Sequence, residues 1–191
     1  MGTGRMEAFS DGVIAIIITI MVLELHPPHA VELSALLEVA HPFFAYVLSF
    51  VYVAIYWNNH HHLLHACGRI NGAIMWANMH FLFWLSLIPF VTLWVSEHRD
   101  AAVPAAAYGV VLLMAGVAYL VIERQMVREN GPQSVLAEAV GGDRKGLVSL
   151  IGYVAAITLA FVSPRLADLI YGLVAVMWIV PDRRIARRVG S

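Results

Sequence analysis

Charge-free apolar stretches recur along the chain, and each is closed by a proline, a polar turn or a cluster of charge. Runs of this kind mark helices that satisfy their own backbone hydrogen bonds in lipid. The first covers about residues 6–25 and ends at "HPPH", where proline cannot continue a helix. The second covers about 33–64, around "FFAYVLSFVYVAIYW", and the third about 71–96, "NGAIMWANMHFLFWLSLIPFVTLWVS". The fourth, about 101–123, contains "YGVVLLMAGVAYLVI"; a polar, glycine-rich stretch separates it from the fifth, about 146–163. After the tight turn "SPR", the sixth covers about 165–180 and ends at Pro181 and a basic tail. The pattern predicts an all-α membrane protein with six transmembrane helices in a single domain over residues 1–191.

Composition agrees. Of the 191 residues, 60% are hydrophobic and 13% charged, with a mean hydropathy of +0.75; a soluble domain is about a quarter charged. Little chain is left for a soluble domain, and the lone Cys67 excludes an intrachain disulfide. The first apolar run lacks the basic flank and small-residue cleavage site of a signal peptide, so it reads as a retained helix. Six passes put both termini on one side. The termini and even-numbered connections carry Arg5, Arg69, Arg124, Arg128, Arg144, Lys145, Arg183, Arg184, Arg187 and Arg188, ten in all; the other side carries only Arg99 and Arg165. That bias makes the termini cytoplasmic, in a cell inner or plasma membrane, with the tail "RRIARR" at the anionic leaflet.

The first helix is anomalous. Asp11 and Glu24 bracket twelve residues, Gly12 to Leu23, roughly 18 Å of helix against a hydrocarbon core of about 30 Å. Ionisable groups at membrane depth face a bundle interior or water. Within the run, Ile16, Thr19, Ile20 and Leu23 fall at i, i+3, i+4 and i+7 on one face, which Gly12 extends. By spacing alone this is either a packing face with a back-bonded threonine or, if several copies surround an axis, the wall of a pore.

"RMEAFSDGVIAIIIT" carries Arg-x-x-x-Phe-Ser-Asp followed by Gly-Val-x-Ala-Ile-x-x-Thr. It resembles the signature of the transmembrane protein 175 family of potassium channels, in particular prokaryotic members with one six-helix unit per chain. "YWNNHHHLL" and "MWANMHFLFWLSLIPF" extend the resemblance through helix three; the second half of the chain has no motif to place. The resemblance implies a homotetramer whose first helices line the ion path, with constriction rings at Ile16, Ile20 and Leu23 and a ring of Thr19 between them. It implies no cofactor beyond permeant potassium, no nucleic acid, and no partners but further copies of the chain and membrane lipid. No "TVGYG" filter is present. Selection by the rings then rests on dehydration at an apolar constriction, which also closes by dewetting, and on threonine oxygens that return part of the lost hydration. Glu24 is either a cation-concentrating group at the outer mouth or a simple interfacial residue.

The same resemblance implies a structural task for Arg5, Phe9, Ser10 and Asp11: tying the first helix to polar residues of helices two and three, for which Trp57, His60 and Asn78 are the candidates. His61 and His65, at i and i+4, have a zinc-compatible spacing, but no Asp or Glu stands near them in sequence and Cys67 is a weak third ligand, so no metal site is assigned. Gly109 and Gly116 are small residues suited to close helix contact, and Arg165 and Asp168, at i and i+3, are placed to pair. The competing functions are a proton- or cation-coupled secondary transporter, which lacks its paired broken helices here, and a membrane enzyme, for which only the histidine cluster offers chemistry.

Overall fold

The computed structural model describes residues 2–134, 136–137 and 144–179. Pro181 and the basic tail through Arg183, Arg184, Arg187 and Arg188 lie outside the described residues, as does the end of the sixth predicted helix. Every regular element described is helical: α1 Thr3–Leu23, a single 3-10 turn at Leu33–Leu37, α2 Ala40–His65, α3 Gly72–Ser86, α4 Ile88–Glu97, α5 Ala102–Asn130, α6 Arg144–Ala160 and α7 Pro164–Ile179. Among the described residues, four stretches are long and apolar enough to cross a membrane, namely Thr3–Leu23, Ala40–His65, Gly72–Glu97 and Ala102–Asn130. Helices α6 and α7 are shorter, at 17 and 16 residues.

Prolines account for two departures from the predicted bounds. The second helix begins at Ala40 rather than near 33. Pro42 then falls in its first turn, where a missing N–H costs nothing; in a helix running from 33 its ring would strike a carbonyl one turn back. The third predicted span is interrupted at Leu87, whose N–H reaches back to Trp84 O at 3.3 Å, and α4 restarts with Pro89 in its first turn. The fourth runs further than predicted, past Glu123 and Arg124 to Asn130, and stops at Gly131 with φ of 92°, a conformation glycine adopts without strain.

Helix α5 packs against α3, α4, α6 and α7, while α1 lies on α2, α3 and α4. Two glycines let α5 meet the C-terminal pair closely: a Cβ at Gly109 would collide with Tyr171 Oη and with Ile157 Cγ1 at 2.7 Å, and one at Gly116 would sit 3.1 Å from Leu150. The core is rich in tyrosine. Tyr52 donates to Tyr171 O at 2.6 Å, Tyr171 donates to Ala105 O at 3.0 Å, and Tyr108 Oη is 2.9 Å from Ser49 Oγ. Thr92 Oγ1 lies 2.7 Å from both Ser49 Oγ and Ile88 O. Buried hydroxyls paired in this way fix how the helices face one another.

At one end of the bundle, Asn130 Oδ1 accepts from the backbone N–H groups of Gly68 and Arg69, each at 3.0 Å, and so holds the α2–α3 connection against the end of α5. At the other end, Arg165 Nε binds Asp100 at 3.0 Å. This corrects the Arg165–Asp168 pairing expected from spacing. Helical side chains lean toward the N-terminus, so Arg165 reaches away from Asp168 and toward the α4–α5 turn.

Candidate functional site: the two sides of the first helix

Helix α1 spans 21 residues, about 32 Å, so the helix itself is long enough to cross a membrane. The short segment is the part between its carboxylates. Asp11 stands more than two turns inside α1, and Glu24 is its C-terminal cap.

One side of α1 is buried in its own chain. Met6, Ser10, Ile14, Ile17 and Met21 recur at three- and four-residue spacing and face α2, α3 and α4. Here the polar groups form a directional chain. The amide oxygen of Asn78 only accepts, so His60 carries its proton on Nε2 and donates to it at 2.8 Å. Asn78 Nδ2 donates to Ser10 Oγ at 3.0 Å, and Ser10 donates to Met6 O at 2.8 Å. Ser10, His60 and Asn78 are all buried, and the His60 ring stacks on Phe81 with centroids 5.5 Å apart. His60 Nδ1 is the one buried side-chain polar atom without a partner among the described residues.

A second tie lies nearer the surface. Trp57 Nε1 donates to Asp11 Oδ1 at 2.9 Å, and the Trp57 ring stacks on His61 with centroids 5.9 Å apart. Of the seven residues named for a polar network, five thus fall into two separate ties. Arg5 and Phe9 are exposed and join neither. Sequence did not find the third connection of this region. Glu7 reaches across to α2, with its carboxylate 3.0 Å from His61 Nδ1 and 3.9 Å from His65 Nε2. Its only sequence signal is that Glu7 lies one helical turn before Asp11.

The opposite side of α1 has no cover among the described residues. Ile16 is 59% exposed, Ile20 41% and Leu23 78%, and Gly12, Thr19 and Glu24 are exposed beside them. Thr19 Oγ1 donates to Ile16 O at 2.9 Å. Its proton is therefore held by the backbone, and its oxygen presents lone pairs away from the helix. Next to this face runs an open groove of about 450 Å³ between α1 and α4, walled by Val13, Ile20, Glu24, Pro89, Phe90 and Leu93.

Comparison with known proteins gives a consistent result. The family described as endosomal/lysosomal potassium channel TMEM175 matches residues 5–89. A protein named as a potassium channel from Chryseobacterium sp. is 48% identical over 187 residues, covering 98% of this chain and 97% of that protein. Another, from Streptomyces collinus, is 32% identical over 187 residues, covering 92% of this chain and 91% of its own. The crystal structure of a lysosomal potassium-selective channel TMEM175 homolog from Chamaesiphon minutus matches with a TM-score of 0.82 at 27% identity, over 93% of this chain and 96% of that one.

Proposed function

The chain belongs to the TMEM175 family of potassium channels, membrane-embedded ion channels and not enzymes, and on that premise we propose that it is a homotetramer of six-pass chains with a potassium-selective pore lined by the Ile16, Thr19, Ile20 and Leu23 face of α1. The division of α1 carries this reading: among the described residues, one side is fully used inside the chain and the other is left bare. A stripe that only met lipid would gain nothing from Thr19 or from Glu24. A stripe that meets its own copies around water would use both.

Four isoleucine or leucine side chains around an axis make a narrow, dry ring, and an ion must shed water to pass. Potassium holds its water less tightly than sodium, so such a ring favours potassium. Thr19 hydroxyls, with their protons on Ile16 O, are oriented as acceptors for a cation and return part of the lost hydration. The ring also provides a gate, since it closes by dewetting. Glu24 raises cation concentration at the outer mouth, an adjoining copy covers the groove beside α1, and both termini are cytoplasmic by the arginine and lysine count. The buried side of α1 sets the tilt and register of the lining helix. A carrier of the inverted-repeat kind breaks a pair of helices, whereas the described helices show one interruption, at Leu87.

The test is reconstitution into bilayers with potassium on one side and sodium on the other. Currents that reverse near the potassium Nernst potential are expected. Saturable flux that requires a proton gradient would overturn the channel. Cross-linking of Leu23→Cys is expected to give ladders ending at four chains; a monodisperse monomer or dimer in lipid would refute the tetramer.

A further inference from the structure

The carboxylate that the histidine run lacks in sequence is supplied in space by α1. Glu7, His61 and His65 bring one donor atom each to within 4.8 Å of one another. We propose that these three side chains form a transition-metal site of the zinc class, bridging the first turns of α1 to the last turns of α2.

The geometry is close to what such an ion requires. With metal–nitrogen and metal–oxygen bonds of about 2.0–2.2 Å, the donors of a tetrahedral zinc site stand roughly 3.3 Å apart. The Glu7 carboxylate already lies 3.0 Å from His61 Nδ1 and 3.9 Å from His65 Nε2, so small rotamer adjustments complete the set. The two imidazoles sit one turn apart on α2, edge to face, with centroids separated by 4.5 Å. Glu7 closes the set from the other helix.

A metal site also needs its ligands held. The ring of His61 stacks on Trp57, whose Nε1–H is fixed by Asp11 on α1, one turn on from Glu7. The same two helices therefore present the ligands and brace one of them, as outer-shell partners do in established sites. Two imidazoles and one carboxylate suit zinc, copper or nickel, and they do not suit magnesium or calcium, which prefer oxygen alone. His65 is exposed and His61 half-buried, with side-chain exposures of 67% and 34%. That leaves water as the fourth ligand. On loading, the metal takes the place of the proton between His61 Nδ1 and Glu7, and the neutral imidazole carries its proton on Nε2 instead. The proposal is independent of where the ion path runs.

The test is titration of the purified full-length protein, free of any histidine tag, with zinc alone by calorimetry, and with cobalt alone by visible absorption. One zinc per chain, unaffected by excess magnesium, and the d–d bands of four-coordinate cobalt are expected. Glu7→Gln and His65→Asn should each weaken zinc binding at least about tenfold, since even outer-shell changes cost that much. His62→Asn, on the exposed side of α2, should leave it unchanged. His65 is exposed, so His65→Asn keeps the fold and remains informative if Glu7→Gln does not express. Absence of zinc binding, or unchanged affinity in His65→Asn, would overturn the site.

Discussion

Helix α1 carries two apolar faces of similar composition and opposite fate. Ile14 and Ile17 are 1% and 3% exposed, and Ile16 and Ile20 are 59% and 41% exposed. Hydrophobicity does not separate them, and in lipid it exerts little pull between helices because the tails are as apolar as isoleucine. The polar residues interleaved with each face make the difference. On the buried side Ser10 is met by Asn78, and through it by His60. An amide or hydroxyl left unpaired in this setting is costly, so the polar pairs dictate which side of α1 turns inward. On the bare side, Thr19 satisfies its own proton within the helix and makes no demand on a neighbour from its own chain. A polar group that needs a partner fixes orientation, and one that is self-satisfied leaves its face available.

The comparison is broken most severely at His60. His60→Ala should orphan the amide oxygen of Asn78, at about 1–3 kcal/mol, and should add the cost of the emptied space against Phe81. Thermal unfolding in detergent is expected to move to clearly lower temperature, while any channel that still forms keeps its reversal potential. An intact melting temperature with altered ion preference would reverse the roles of the two faces. A smaller effect separates neighbours in sequence. Ile17→Ala should cost about 2 kcal/mol, the low end for a buried isoleucine, because lipid removes the water-transfer part and leaves the lost packing. Ile16→Ala should cost within about 0.5 kcal/mol of fold stability. Equal losses in the two would show that the faces are not distinct.

The gentlest changes act on the bare face alone. Ile16→Asn wets the proposed ring and should raise sodium permeation, read as a shift of the bi-ionic reversal potential. Thr19→Val keeps shape and removes the oxygen, so it should produce a smaller shift in the same direction together with lower conductance, and no change in melting temperature. If neither variant moves the reversal potential, this face does not line the pore.

Helical periodicity made much of the fold legible, because a membrane helix satisfies its backbone locally and its apolar run is written in consecutive residues. The grouping of Ile16, Thr19, Ile20 and Leu23 on one face followed from the same local rule. Two predicted bounds differ from the structure although a local signal marks each: Pro42 sits near the start of α2, and Pro89 two residues past the break at Leu87. Both prolines fall within long apolar runs, where hydropathy hides them. Glu123 and Arg124 read as a boundary and end the predicted fourth helix too early, while α5 continues to the glycine that stops it.

By itself the sequence determined that the chain is helical, membrane-embedded and built on a polar-flanked first helix, since each of these depends on neighbours along the chain. Tertiary structure decided the partners. Arg165 takes Asp100 rather than Asp168, Trp57 takes Asp11, and Glu7 meets His61 and His65, because each pair comes within reach only when separate helices pack at one crossing and one register. A charge on a helix has several candidates within its own turn and many elsewhere. Which one it meets is set by the direction in which the side chain leaves the backbone and by the helix that happens to lie opposite.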